Sequence, residues 1–208
     1  MRIIWGRANS SNVMKLLWFC AETGLPYERR DAGGAFGRTQ EPAYKAMNPM
    51  SLVPVLEEPD GWALWESNSI LRYLGATTAE GAGLYPAAPR RRAAIERWMD
   101  WQLAHLSQPM TTLFFTHVRI PEPERDWDAA EAARQKAASL WALLDHQLQA
   151  TPFAEGEALT LADIALGPFI HRWFALPIER PDLPALRQWY EHLCERPGYA
   201  THIRIPMT

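Results

Sequence analysis

Asn48-Pro-Met-Ser-Leu-Val53-Pro54-Val-Leu-Glu-Glu-Pro-Asp-Gly61-Trp-Ala-Leu-Trp-Glu66-Ser67-Asn-Ser-Ile-Leu-Arg-Tyr-Leu74 is the stretch on which the reading of this chain depends. An apolar run from Leu52 to Leu56 is interrupted by a proline, followed by a Pro-Asp-Gly turn signal and a second short run from Trp62 to Trp65. Proline cannot donate to a sheet ladder, so it belongs at a strand's start, at an edge or at a bulge. Pro54 is therefore expected to begin an edge strand and to leave the main-chain N–H and C=O of Val53 unpaired. Such groups can pair with an extended peptide, as in strand addition. A cis Val53–Pro54 bond suits the sharp turn into the strand. Glu66-Ser67 then reads as an acidic residue beside the N-cap of a helix carrying Ile70, Leu71 and Leu74. A capped helix N-terminus favours a carboxylate, and Glu66 offers a partner for an ammonium. Taken singly, each feature is an ordinary strand start or cap. Their order and spacing suggest a grip for the two charged groups of an amino-acid head beside an open strand edge.

On either side of this stretch the chain changes character. Ile3 and Ile4 mark a short strand ended by Gly6; the polar loop Arg7 to Asn12 leads into a helix with Val13, Leu16, Leu17 and Cys20 on one stripe and Gly24 as its stop. Pro26 to Arg30 reads as a second strand, and Pro42 to Met47 as a weak helix. The order strand, helix, strand, helix, strand, strand, helix over residues 1–80 suits a small mixed four-stranded sheet with helices on its faces. Gly81 to Pro89, rich in Gly, Ala and Pro, reads as a linker. Residues 90–208 read as all helix: a helix from about Arg91 kinked at Pro109, a break from His117 to Asp126, and a helix striped by Ala133, Ala137, Leu140, Leu144 and Leu148. Thr160-Leu-Ala-Asp163 opens another helix in capping-box fashion, and a last one carries Leu186, Trp189, Tyr190 and Leu193 and stops near Pro197.

Composition narrows the function. The 208 residues are 48% hydrophobic with 10 Trp, enough for a sizeable core, and the net charge of −3 gives no basic field for nucleic acid. No apolar run approaches the length that spans a bilayer, and no signal peptide is evident, so a cytoplasmic setting is expected. Cys20 and Cys194 fit no metal or paired-cysteine spacing, Cys20 lies on a buried stripe, and the histidines have no metal spacing.

The element order, the Val53-Pro54 hairpin, the Glu66-Ser67 helix start and Thr160-Leu-Ala-Asp163 together resemble the cytosolic glutathione S-transferase family over essentially the whole chain. The resemblance implies a thioredoxin-like α/β domain (1–80) that binds glutathione as co-substrate and an all-α domain (90–208). It also implies a homodimer and a detoxifying transferase that turns the glutathione thiolate on small hydrophobic electrophiles or hydroperoxides, with disulfide reduction as a possible further activity. A non-catalytic glutathione- or ligand-binding module, or a glutathione-dependent isomerase, is the alternative.

Carried over by position, the resemblance has Val53 beside Pro54 bond the cysteinyl unit, and Glu66 and Ser67 hold the γ-glutamyl ammonium and carboxylate. Relatives often carry Lys, Arg or Gly where this chain has Ser51-Leu52, and the glycine carboxylate then falls to Thr39 or Gln40. Trp5 and Gly6 occupy the place of the tyrosine used by some members, and no cysteine stands at the first helix's start. The loop Ser10-Ser11-Asn12 resembles the serine-type members, with Ser11 the best-placed hydroxyl. It also resembles a zeta-type loop with Asn12 in place of cysteine, and a bacterial group with asparagine there. A thiol of pKa about 8.5 is mostly protonated at neutral pH, and a hydroxyl or amide donor at a helix N-terminus stabilises its thiolate. The electrophile pocket is expected between the domains, near Met110, Phe114 and His117 and extending to Trp173. No metal is expected.

Overall fold

A computed structural model describes every residue from Met1 to Thr208. Four short strands form one mixed sheet: β1 (Ile3–Trp5), β2 (Glu28–Arg30), β3 (Val55–Glu57) and β4 (Ala63–Trp65), in the order β2-β1-β3-β4. β1 runs parallel to β2 with Ile3 opposite Glu28, and antiparallel to β3 with Ile4 opposite Leu56. β4 closes the hairpin with Leu64 opposite Leu56. The crossover between the parallel strands is helix α1 (Ser11–Thr23), closed by Gly24 in the left-handed conformation.

One expectation is corrected here. β3 is not an edge strand, because the Asp60-Gly61 turn lays β4 on one side while β1 pairs on the other. Pro54 is tolerated because it precedes Val55, the first paired residue, so its missing N–H costs the ladder nothing. The unpaired main chain at Val53 arises at the end of an interior strand.

Helix α2 (Pro42–Met47) starts on a proline, which suits the first turn, and packs Tyr44 under the sheet's edge. Helix α3 (Ser67–Thr77) buries Ile70, Leu71 and Leu74, as the stripe predicts. Beyond the turns of residues 78–88 the chain is helical: α4 (Pro89–Trp101), α5 (Ser107–Phe114), α6 (Trp127–Leu148), α7 (Leu161–Ala175), α8 (Pro184–Cys194) and α9 (Pro197–His202).

The expected kink at Pro109 takes a particular form. Pro109 sits inside α5, and the distortion lies one turn earlier, where Gln102–Leu106 widens into i→i+5 bonding with the Ser107 N–H reaching the Gln102 carbonyl. A proline cannot bond the carbonyl four residues back and its ring crowds it, so a wide turn just before it absorbs the mismatch. A second wide turn, Phe115–Arg119, carries the helix through the break expected at His117, and irregular chain starts at Ile120. Pro197, read as a stop, opens the short helix α9 at its first position.

The sheet and the helices share one core. Trp18 of α1 is fully buried against α7, close enough that a Cβ on Gly167 would lie 2.4 Å from Cζ3 of Trp18. The Tyr199 ring meets Trp18 edge-on at 4.8 Å, and its hydroxyl donates to the Gly167 carbonyl at 2.8 Å. Removing a side chain of this size from a core costs about 3–5 kcal/mol. This contact holds α1, and with it the corner at its N-terminus, in place against the helical half.

The capping box at Thr160 is present. Asp163, fully buried, accepts from the main-chain N–H groups of Ala154 and Thr160, both at 2.9 Å, and from Nε1 of Trp189 at 3.0 Å. Every donor belongs to the scaffold, which makes Asp163 a folding element.

Candidate functional site

Three chain ends meet at one corner of the sheet. β1 delivers Gly6, whose φ of 152° belongs to glycine and whose missing side chain lets two neighbours close in. A Cβ there would stand 2.4 Å from Cγ2 of Val13 and 3.2 Å from Cβ of Val53. The start of α1 is thereby drawn against the loop before β3. Within that loop the Val53–Pro54 bond is cis. Tyr44 Oη and Asn48 Nδ2 both donate to the Leu52 carbonyl at 2.8 Å, anchoring the loop from below. The main-chain N–H and C=O of Val53 have no partner in the chain.

The helix ends at this corner are open. Ser10 takes the N-cap of α1, but its side chain makes no capping bond; the first main-chain bond into the helix is from Met14 N–H to the Ser10 carbonyl. The N–H groups of Ser11, Asn12 and Val13 are left without acceptors. At α3 the N-cap is Glu66, not Ser67 as the sequence suggests; Ser67 is the first helical residue. Glu66 adopts a φ of 72°, a conformation that costs a non-glycine residue energy and is concentrated at functional sites. Its exposed carboxylate stands beside the unpaired N–H groups of Ser67, Asn68 and Ser69.

Ser67 is committed differently from the expectation. Its hydroxyl donates to Oδ1 of Asn12 at 3.2 Å and accepts from Nζ of Lys15 at 3.3 Å. A carboxylate arriving at α3 therefore meets main-chain N–H groups rather than a free hydroxyl. Lys15, which the sequence reading passed over, is fully enclosed. Its three donors are met by Ser67, by Oδ1 of Asn68 at 3.0 Å and by Oε1 of Gln102 at 2.7 Å, with the Phe169 ring 5.4 Å away. Burial pushes its pKa down to about 7, and the Glu66 carboxylate pulls the other way. A lysine between Met14 and Leu16 is a break in the apolar pattern. That was the one signal in the sequence, and it needed Asn68 and Gln102, distant in the chain, to become legible.

Asn12 is thus oriented. With Oδ1 accepting from Ser67, its Nδ2 faces the open corner and has no partner within the chain. Ser11, one residue before, is half-buried and its hydroxyl is unoriented by any hydrogen bond. The corner therefore offers an amide donor and three main-chain N–H groups at the positive end of a helix, an arrangement that stabilises an anion such as a thiolate.

The remaining expected residues divide. Thr39 lies at the same rim, its methyl near Gly33, which in turn touches Val53. Gln40 is exposed on the adjoining turn. Phe114 is nearly enclosed and lines a narrow gap with Asn9, Met14 and Arg172 next to the α1 loop. Met110 does not line a pocket: it is fully buried in the core, since the wide turn before Pro109 rotates it inward. His117 is turned away, packed edge-on against Trp127 at 5.2 Å in a groove toward Ile178. Trp173 is also core, tilted against Trp141. Cys20 is buried and its thiol is pushed up to about 12 by desolvation, so it supplies no nucleophile. No three His, Cys, Asp or Glu side chains converge as a metal-binding group.

Comparison with known proteins places these features in a family. Residues 9–77 match the profile described as Glutathione S-transferase, N-terminal domain, and residues 106–197 match Glutathione S-transferase, C-terminal domain. Glutathione S-transferase GstB of Escherichia coli K12 is 39% identical over 209 residues, covering 100% of both chains. Disulfide-bond oxidoreductase YfcG of the same strain is 29% identical, covering 92% of this chain and 89% of its own. Among solved structures, a theta class glutathione S-transferase from Xanthomonas axonopodis pv. citri with glutathione bound is 44% identical. It superposes with a TM-score of 0.94, covering 100% of this chain and 99% of the other.

Proposed function

The chain belongs to the glutathione S-transferase family, and from that premise we propose that its corner binds glutathione and ionises the thiol for attack on a small electrophile. The observation that carries the reading is the convergence of unpaired main-chain groups. Val53 offers an N–H and a C=O to the cysteinyl unit. The open start of α3 with Glu66 takes the γ-glutamyl carboxylate and ammonium. The open start of α1 takes the sulfur. Thr39 and Gln40 stand at the rim for the glycine end. The glutathione bound to the 44%-identical structure supports the same assignment.

Asn12 is the thiolate donor in this scheme, with Ser11 and Ser10 forming the turn that presents it. Bringing a thiol of pKa about 8.5 down by one unit requires about 1.4 kcal/mol of preferential stabilisation. One charge-assisted hydrogen bond reaches that range, and the helix dipole adds to it. The attack forms a carbon–sulfur bond as the leaving group departs with its electron pair. Because no cysteine stands at the corner, conjugation is favoured over disulfide exchange through an enzyme thiol.

A homodimer in the cytoplasm completes the proposal, built on the face where Arg72 of α3 pairs with Asp100 of α4 and Trp62 lies exposed against Tyr73. Calorimetry with glutathione and the thiolate absorbance of the complex test the central claim. Saturable binding with thiolate present at neutral pH is expected; no heat at millimolar glutathione would overturn it.

A further inference from the structure

Next to the proposed thiolate corner two arginines, Arg119 and Arg172, stand over the Phe114 ring, a third, Arg7, lies within their electrostatic reach, and no acid is paired with any of them. Arg7 lies in the loop between β1 and α1, one turn from the helix start, and its carbonyl accepts from the Ser10 N–H at 3.2 Å. Its Nη1 is enclosed without a hydrogen-bond partner. Arg172, on α7, is only 8% exposed, and its guanidinium lies 3.8 Å from the centroid of the Phe114 ring. Arg119, at the end of the wide turn after α5, is exposed and stands over the same ring at 5.6 Å. None of the three takes part in an ion pair, although eight other arginines of the chain do, Arg2 with Glu58 among them.

Burial first, then Arg7 and Arg119, push the Arg172 guanidinium down to about 10; burial and Arg119 lower Arg7. No carboxylate acts in the opposite direction on either group. Thr208, held by Nδ2 of Asn9 at 2.7 Å, lies on the rim of the same gap and forms no ion pair with Arg172. His171, also on that gap, is pushed down to about 4 by burial and the nearby Arg204 and Arg172, so it stays neutral.

Gathering unpaired cations in a partly desolvated cleft is costly, and an anion that accepts from several of them relieves the cost. Planar guanidinium groups match a carboxylate two donors at a time.

We propose that Arg7, Arg119 and Arg172 form an anion site for the second substrate, so that this transferase prefers electrophiles carrying a carboxylate or comparable acid group. The proposal deepens the glutathione reading and rests on it for the chemical step. The acid group is held by the arginines, and the reacting carbon is left toward the start of α1. For an aryl chloride, the thiolate attacks the carbon bearing chlorine, the carbon–sulfur bond forms, and chloride leaves with the bonding pair. The carboxylate is unchanged, no oxidant or reductant is needed, and the proton lost by the thiol goes to solvent.

A matched pair, a chloronitrobenzoate and the corresponding chloronitrobenzamide, tests the site. In the intact protein the ratio of kcat/KM for benzoate over benzamide, corrected for their uncatalysed rates, is expected to be about tenfold or more. That ratio should fall about tenfold in Arg119→Gln, whose exposed position spares the fold, and recover in part in Arg119→Lys. A ratio near one in the parent protein, or a ratio unmoved by Arg119→Gln, would overturn the proposal. Glutathione's own glycine carboxylate is the competing source of the same chemistry: if Arg119→Gln weakens glutathione binding in calorimetry and leaves the ratio alone, the site belongs to glutathione and the proposal fails. Binding of the benzoate without glutathione separates this proposal from the reading beneath it. Saturable heat for benzoate, absent for benzamide and lost in Arg119→Gln, supports the anion site even if glutathione does not bind; no heat for benzoate counts against it.

Discussion

Ser67 Oγ donates to Oδ1 of Asn12 across 3.2 Å, and that one bond decides which face of the Asn12 amide looks outward. It ties the first residue of α3 to the second of α1, so the two open helix ends are set relative to each other through side chains. Lys15, donating to the same hydroxyl, keeps Ser67 as an acceptor on one side and a donor on the other.

Asn12→Asp keeps an oxygen for Ser67 and removes the outward donor. The pKa of the bound glutathione thiol is expected to rise, and kcat/KM near neutral pH to fall about tenfold to a hundredfold, in the range of lost oxyanion donors. Ser11→Ala should change it by about threefold or less. Titrating the thiolate absorbance of each complex checks the order; a larger effect from Ser11→Ala would move the donor role to that hydroxyl.

Lys15 links stability to pH in a defined direction. Its folded pKa of about 7 lies below its ordinary value of 10.5, so the unfolded chain binds the proton more tightly between those limits. The penalty for burying the ammonium is fully present below pH 7 and is relieved as pH rises, by at most about 1.4 kcal/mol per pH unit. Unfolding free energies of the parent protein relative to Lys15→Met, measured from pH 6 to 9, should climb above pH 7. A flat difference over that range would rule out a titrating Lys15.

Asp163→Asn leaves at least one of its buried donors facing another donor. A loss of about 2–3 kcal/mol in unfolding free energy is expected, with little change in activity per folded molecule. Urea unfolding paired with active-site titration checks it, and a selective loss of turnover would argue for a chemical role.

Gly6→Ala places a Cβ where Val13 and Val53 already stand. Both stability and glutathione affinity should suffer, the former by about 1–3 kcal/mol, because backbone strain and overpacking act together. Calorimetry on the folded fraction separates the two. Unchanged affinity would mean that the close approach at Gly6 serves the fold alone.

Patterns of local origin were legible in the chain. The strand and helix periods, the Gly24 stop, the Thr160 to Asp163 box and the run from Val53 to Ser67 depend on neighbours within a few residues, and those neighbours are written side by side. The position of β3 was misread, because whether a strand is an edge depends on what pairs with its far side, and a proline at its start is compatible with either. Met110 and His117 were misplaced because a proline announces a distortion without saying which way the helix turns afterwards.

The sequence by itself determined the order of elements, the unpaired Val53 and the two helix starts, since backbone hydrogen bonding and apolar period are set locally. Only the tertiary structure decided that Lys15 is enclosed by Ser67, Asn68 and Gln102, and that Arg119 and Arg172 stand over the Phe114 ring with Arg7 in electrostatic reach and no ion-paired acid. Those groups are up to 165 residues apart, from Arg7 to Arg172. Charge and desolvation act through space, so their meaning emerges only when packing brings such distant positions within a few ångströms.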